Sequence, residues 1–488
     1  MLKEIKRLSL DSLVYGIGQV ATRLLGFFLI PLYTRFLTTD DYGVLAVLLV
    51  LPQLLGDISN LGILSAFSRF YFDGEVGDRK DVIATTFIFN LGSSVVFFYA
   101  LSLISNSISR LMIGSSDQGF LLNILFAYLI ARNQIEFVMA IYRVERKPGL
   151  YSLITIIRVL INFGMTIVLV SRFRMGVLGV LLGQIIPEVL LLPFLLVLVV
   201  GPRFKLRFSG RLLRKMVAFG LPLTPVTITA WIVNSMPVTL LARLSSLSES
   251  GLFSMGYKFG ALILSFVVAP FQLGWSPIAY EKADSESAPA LYSRVFTYLA
   301  AVLSFSVTGM ALVSGDLIRL MATPEFYLAE DVVLAVAIGA MAFGLYVFFA
   351  VLINIARKTY LSTLIWSASA GMSLALGFLM IPKYGRFGAA WSYAAAYLLV
   401  AVTGFIAAQK VFPLQYEWNR LVRIFAAGFF CLVIGRAVSV ESVIPDLLLH
   451  TGIVFSMPVV LVLSGFLLES EKRLIGSAIQ SIMKKREV

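Results

Sequence analysis

Arg35-Phe-Leu-Thr-Thr-Asp-Asp-Tyr-Gly43 is echoed 208 residues later by Arg243-Leu-Ser-Ser-Leu-Ser-Glu-Ser-Gly251, with the arginine, the acid (Asp41, Glu249) and the glycine in register. Each copy closes one long apolar run and opens the next. Two further echoes keep nearly the same spacing: Arg146-Lys147 with Arg357-Lys358 at 211, and Gly176 with Gly388 at 212. Three correspondences at almost one offset predict two homologous halves. Weak internal symmetry of this kind is found in transporters, whose halves rock about a central site.

The composition around these echoes sets the class: 59% hydrophobic residues, 14% charged and a mean hydropathy of +0.91 lie far outside the range of soluble domains. Apolar runs long enough to span a bilayer fall near 9–36, 43–68, 82–109, 119–142, 150–171 and 176–200. A second set falls near 216–242, 251–279, 292–314, 329–355, 359–381 and 387–409, and two more near 421–438 and 446–468. The expected fold is an all-α integral membrane protein of about 14 transmembrane helices. Six spans per half is an even number, so the two repeats are expected to be parallel, arranged around a central cavity, with two extra C-terminal helices. The expected divisions are an N-terminal lobe (1–200), a basic linker (201–216), a C-terminal lobe (217–410), and the last two helices with a tail (411–488). The start, Met1-Leu-Lys-Glu-Ile-Lys-Arg7, runs into apolar sequence without a small-residue cleavage site and is read as an uncleaved first span.

Loop charges alternate as fourteen spans require. Placing the N-terminus and every second loop in the cytoplasm gives that side 27 of the 40 Lys and Arg residues, leaving 9 opposite and 4 inside spans. The positive-inside rule then puts both termini in the cytoplasm of a multi-pass protein. The richest loop carries Arg203, Lys205, Arg207, Arg211, Arg214 and Lys215, so the net +13 is mostly topology and no nucleic-acid partner is expected. One cysteine, Cys431, excludes an internal disulfide framework and any multi-cysteine metal site, and one histidine, His450, leaves little for histidine catalysis or zinc. No Gly-x-x-x-x-Gly-Lys phosphate loop is present, and no loop on the non-cytoplasmic side exceeds about 15 residues, short for a catalytic loop. An enzyme is not expected, nor is a cofactor.

Arg23, Arg132 and Arg158 lie near the centres of apolar segments, where each costs about 2.5–3.5 kcal/mol unless it faces a partner or a cavity. In the first span Tyr15, Gln19, Arg23 and Gly26 make one polar, small face at helical spacing, and Tyr151, Thr155, Arg158, Asn162 and Thr166 make another in the fifth. Asp57 and Asn60 share the second span, Arg132 and Glu136 stand four apart on the fourth, and Glu188 lies mid-way along the sixth. These charges point to a path for an anion. The competing reading is mutual neutralisation: Arg132 with Glu136, and Arg158 bridging to Asp57 or Glu188. The second half carries little charge beyond Lys258 but offers Asn234, Tyr257 and Asn354, amide and aromatic groups suited to sugar rings.

Leu37-Thr-Thr-Asp-Asp-Tyr-Gly-Val-Leu-Ala-Val47, followed by Asp57-Ile-Ser-Asn-Leu-Gly62 and Ser68-Arg-Phe-Tyr-Phe72, resembles the opening of the oligosaccharide and polysaccharide flippases of bacterial cell-surface glycan pathways. That family shares a superfamily with multidrug and toxin extruders and the lipid II flippase. The resemblance implies movement of undecaprenyl-diphosphate-linked oligosaccharide across the cytoplasmic membrane of a bacterium or archaeon by alternating access. Its partners would be membrane lipids, a polysaccharide polymerase and glycosyltransferases. Under this reading Arg23, Arg158, Lys258 and Arg132 are candidates for the diphosphate, and Gln19, Asn162, Asn60, Asn234, Tyr257 and Asn354 for the glycan. Asp57, Glu136 and Glu188 are candidates for H+ or Na+ coupling, the membrane potential being the other source of drive. The alternative is a cation-coupled multidrug or toxin exporter of the same superfamily.

Overall fold

A computed structural model describes residues 25–72, 78–204, 207–469 and 471; Arg23 and Gln19 lie outside these. The described residues are helical, without strands. In chain order the first helices are α1 (Leu25–Phe36), α2 (Thr39–Asn60), α3 (Ile63–Phe70), α4 (Arg79–Leu103), α5 (Ser105–Met112), α6 (Gly119–Val144), α7 (Pro148–Arg172) and α8 (Gly176–Arg203). Then come α9 (Gly210–Gly220), α10 (Thr224–Leu244), α11 (Leu247–Lys282), α12 (Ala288–Met321), α13 (Pro324–Ile355), α14 (Tyr360–Val411), α15 (Trp418–Ala437) and α16 (Val443–Leu463). Among the described residues ten helices are long and apolar enough to cross a membrane. The expected count of about fourteen also takes the two arms of α14 separately, since Gly385 breaks it at φ 51°, ψ −129°. It adds α10, α15 and the first span. Large apolar side chains face outward, with Leu463 81%, Val197 72% and Phe429 70% exposed, as lipid-facing residues do. This is a multi-pass membrane protein.

The chain divides into two compact units. One takes in residues up to Lys258 with Met321–Ala329 and Trp366–Ala396; the other takes in Phe259–Leu320, Glu330–Ile365 and residues from Tyr397 on.

In the first unit α2 packs along α10, α4 against α6, and α8 against both α6 and α7. Its core at one end gathers Phe67, Phe137, Ile141 and Val82, and α9 docks Leu212 and Met216 into it. The basic linker is therefore an amphipathic helix: Ser209 caps it by accepting from Leu212 N–H at 3.3 Å, while Arg211, Arg214 and Lys215 stay exposed. Beside it Arg203 grips Glu145 with two hydrogen bonds, Nε to Oε1 at 2.5 Å and Nη2 to Oε2 at 2.8 Å, and Lys147 adds a third at 2.7 Å. Burial pushes the Glu145 carboxyl up, but the bonds from Arg203 and Lys147 outweigh it and hold the group below the usual carboxylate range.

The sequence echoes reappear as paired geometry. Thr38 caps α2, accepting from Asp41 N–H at 3.1 Å while its own N–H reaches Asp41 Oδ2 at 3.1 Å. At the equivalent positions Ser246 accepts from Glu249 N–H at 3.1 Å. The two helix starts then meet. A Cβ on Gly43 would overlap the Leu247 carbonyl, and one on Gly251 would overlap the Thr39 carbonyl. Because Thr39 and Gly43 correspond to Leu247 and Gly251, the contact maps onto itself when the copies are exchanged, as at a two-fold interface. Ser248 Oγ adds a hydrogen bond to Thr39 Oγ1 at 2.9 Å. The second echo is equally close: Arg146 and Arg357 both take left-handed conformations, φ 53° and 57°, with Lys147 N–H bonded to Tyr142 O and Lys358 N–H to Ile353 O. The third echo differs, because Gly176 has a positive φ of 55° but in the second copy Gly385, not Gly388, has positive φ.

Gly43→Ala and Gly251→Ala are each expected to lower stability by about 1–3 kcal/mol through overpacking, with non-additive effects in the double variant because both act on one contact; thermal unfolding in detergent measures this. Glu145 contributes stability above its ordinary pKa of about 4.3 and loses it as pH falls through its lower folded value. The difference in melting temperature between the native chain and Glu145→Gln should therefore be present at neutral pH and vanish in acid.

Candidate functional site

Five predicted charges converge in the first unit. Arg158 on α7 donates from Nη2 to Glu188 Oε1 on α8 at 2.5 Å, and its Nη1 lies 3.7 Å from Glu136 Oε1 on α6. Helix spacing explains why α7 and α8 can bring these together. Gly183 faces Thr166 so closely that a Cβ would collide with its hydroxyl, and one turn further along α8 Glu188 points at Arg158. Burial is graded across the cluster, with side-chain exposure of 36% at Glu136, 16% at Arg158 and 6% at Glu188. Glu188 Oε2 is buried with no hydrogen-bond partner among the described residues.

Arg132 does not pair with Glu136 as their four-residue spacing suggested. Its Nη1 donates to the Pro52 carbonyl of α2 at 2.9 Å. Glu136 is thereby left to Arg158. Asp57, half-buried on α2, lies within electrostatic reach of Arg132. Tyr128, one turn before Arg132, sits in the field of both arginines and of Glu136 and Glu188. Sequence reading missed it, although Tyr128, Arg132 and Glu136 form one stripe at four-residue spacing. Also missed was the buried network beneath: Asn133 Nδ2 donates to Ser59 Oγ at 2.8 Å and Ser94 Oγ at 2.9 Å, and Asn90 Nδ2 donates to the Asn133 carbonyl at 3.0 Å. It fixes α2, α4 and α6 behind the charges.

The other candidates have contacts of their own. Lys258 donates to Tyr42 Oη at 2.7 Å and stands 5.5 and 5.0 Å from the Tyr33 and Tyr42 ring centres, an aromatic seat for its ammonium. Asn60 Oδ1 accepts from Gly62 N–H at 2.9 Å and serves the end of α2. Asn234 Nδ2 donates back to the Ala230 carbonyl at 2.8 Å. Tyr257 packs edge-on against Tyr393 at 5.6 Å. Asn162 is half-buried one turn beyond Arg158, and Asn354 is exposed in the second unit. The structure thus joins Arg132, Arg158, Asp57, Glu136 and Glu188, while the contacts described for Lys258, Asn60, Asn234 and Tyr257 are with other residues.

A family model described as "Polysaccharide biosynthesis protein" matches residues 32–329. The chain belongs to that family. This agrees with the flippase resemblance read from residues 35–72. Among curated proteins, the succinoglycan biosynthesis transport protein ExoT of Rhizobium meliloti (strain 1021) is 22% identical over 304 residues. The match covers 60% of this chain and about 59% of the relative's own length. Among solved structures, the lipid II flippase MurJ in an inward closed conformation superposes with a TM-score of 0.74 at 13% identity, covering 91% of this chain and 98% of that one. An inward-facing multidrug resistance transporter of the MATE family gives 0.63 at 12% identity, covering 84% and 98%. These likenesses show that the chain shares the fold of those two proteins.

Arg158→Ala should destabilise the protein by about 3–5 kcal/mol, because it leaves Glu188 buried without its cation. Arg158→Ala/Glu188→Leu should recover more than half of that loss, whereas Glu188→Leu should rescue nothing in Arg132→Ala. A double-mutant cycle on melting temperature checks both.

Proposed function

We propose that the protein carries a polyprenyl-diphosphate-linked oligosaccharide across the cytoplasmic membrane by alternating access between its two homologous halves. Arg158 and Arg132 take the diphosphate, with Arg23 as the third cation. The observation that supports this best is the Arg158–Glu188–Glu136 cluster: an arginine on a membrane-spanning helix, held by two carboxylates from two other helices. Guanidinium is the side chain best shaped for two-point contact with phosphate, and Glu136 already occupies that position at a distance longer than a good hydrogen bond. Substrate phosphate then replaces carboxylate on Arg158, and the released carboxylate takes up a cation. In this reading Glu136 and Glu188 couple transport to H+ or Na+, and outward movement of two negative charges gains about 4.6 kcal/mol per 100 mV from an interior-negative potential, at roughly 2.3 per charge.

The paired turns at Arg146 and Arg357 and the two-fold contact of Gly43 with Gly251 support the two-lobe layout (1–200 and 217–410). The excess of acids over bases in the described cluster favours the rival reading, a cation-coupled exporter of drugs. The two readings separate in proteoliposomes under an imposed potential. For the flippase, Arg158→Ala/Glu188→Gln should reduce transport of a fluorescent polyprenyl-diphosphate glycan roughly 10- to 100-fold, the loss of about 1.5–3 kcal/mol of charge-assisted hydrogen bonding. Arg158→Lys should restore part of it. Normal glycan transport in the double variant, or efflux of a cationic dye dependent on Glu188, would instead establish the exporter.

A further inference from the structure

The chain's single histidine is used in a way that its sequence position does not suggest. His450 on α16 is buried in the second unit with Nδ1 2.7 Å from Asp316 Oδ2 of α12 and Nε2 3.1 Å from the Gly435 carbonyl of α15. Asp446, one turn earlier on α16, brings its Oδ2 to 3.9 Å from the same Nδ1, while its Oδ1 accepts from Val440 N–H at 2.8 Å. Asp316 and Asp446 are 2% and 3% exposed.

Both ring nitrogens therefore face oxygen acceptors. A neutral imidazole has one N–H and one lone pair, and a lone pair aimed at a carbonyl or a carboxylate is repelled. Two arrangements resolve this: an imidazolium donating both ways, or a neutral ring donating Nε2–H to Gly435 and accepting at Nδ1 from a protonated Asp316. The two hold the same number of protons. Each carries one more than a neutral histidine beside an ionised aspartate, so the geometry counts a bound proton without deciding which atom bears it. A metal ion here would take the Nδ1 lone pair in place of that proton, with the Asp316 and Asp446 oxygens beside it, so proton and metal would compete for one place.

We propose that Asp316, His450 and Asp446 form a proton-binding site in the second unit, whose proton pins α16 to α12 and α15. The other charges around it are Glu330 of α13, whose carboxylate lies beside Gly315, Arg319 of α12, 3.5 Å from Glu330, and Arg436 of α15, which also acts on Glu330. With the proton gone, the Asp316 and Asp446 carboxylates stand side by side at Nδ1 of a neutral ring, and one of the two bonds holding His450 is lost. The C-terminal helix pair is also tied to α12 by small-residue packing, Gly428 on Ser304 and Gly435 on Leu312, by the Phe305 and Phe455 rings, and by Tyr298, which donates to the Glu471 carboxylate that Arg420 of α15 also holds. Glu471 is held below the usual carboxylate range, so a proton dependence near the histidine range is assigned to the His450 cluster. The inference stands apart from the identity of the transported substrate.

A single histidine makes the test direct. The full chain, labelled with 15N-histidine in lipid nanodiscs, gives one pair of ring resonances to follow through a pH series on both sides of the ordinary histidine value of about 6.5. The expected result is one coupled change of both resonances, shifted in midpoint by Asp316→Asn, together with a pH dependence of the melting temperature that His450→Gln removes. Resonances that stay constant through the series, or a melting profile unchanged in His450→Gln, would show a fixed structural contact and overturn the proposal. A shift of both resonances on adding Zn2+ at neutral pH would overturn it in favour of a metal site.

Discussion

A charge inside a bilayer has to be met by another polar group, because no water is there to do it, and the described membrane-embedded charges of this protein are arranged accordingly. Arg158 lies between Glu188 and Glu136, Arg132 reaches the Pro52 carbonyl, Lys258 has a tyrosine hydroxyl and two rings, and His450 has Asp316. Each of these contacts crosses from one helix to another. They thereby do more than neutralise charge: they choose which helices are neighbours, where apolar packing alone leaves many arrangements of similar energy. Between apolar helices in lipid, hydrophobic burial supplies no preference, and close approach at small residues such as Gly43, Gly183 and Gly251 supplies the remainder.

That division of labour explains what could be read in the chain beforehand. The all-helical membrane class and the positions of the helices follow from apolar run length, a local property. The repeat was legible in adjacent residues, the arginine, acid and glycine of each copy, and it corresponds to helix starts at which Thr38 and Ser246 each accept from the N–H three residues on. That Arg158 needed a partner also followed from its place in an apolar segment. Which carboxylate it would take did not, since Glu188 is 30 residues away on another helix and periodicity defines faces, not neighbours.

Arg132 shows the same limit from the other side. Its spacing from Glu136 allowed a pair along the helix, worth about 0.2–0.5 kcal/mol on an exposed surface. The Pro52 carbonyl of α2 offered a tertiary contact, and Arg158 claimed the glutamate. Asn60 and Asn234 were read as glycan-facing from residue type alone, but each amide has a backbone partner within four residues, Asn60 at the end of α2 and Asn234 by a bond back to the preceding turn of α10. Glu249 departs in a different way. It occupies the capping-box position that Asp41 fills in the first copy, yet its carboxylate bonds to the N–H and the guanidinium of Arg386, both at 2.7 Å. One repeat keeps the acid for its own helix, and the other spends it on the bend at Gly385.

A resting site that is already neutralised has a consequence for any anionic cargo. An empty cluster of bare arginines would cost several kcal/mol to hold in lipid, so a protein that must bind diphosphate there and also fold is driven to give those arginines internal anions. The carboxylates then compete with the substrate. On the proposed reading, diphosphate reaching Arg158 leaves Glu188 and Glu136 as unpaired anions beside the new charge, which is unfavourable unless they gain protons or cations or move away. Binding of the anion and binding of the cation are thereby linked with one coupling free energy, and the link works in both directions: a protonated Glu188 releases Arg158 to phosphate, and bound phosphate raises the affinity of Glu188 for a proton. On the proposed reading, the ion pair that holds these helices together is also the element through which an ion gradient acts on transport.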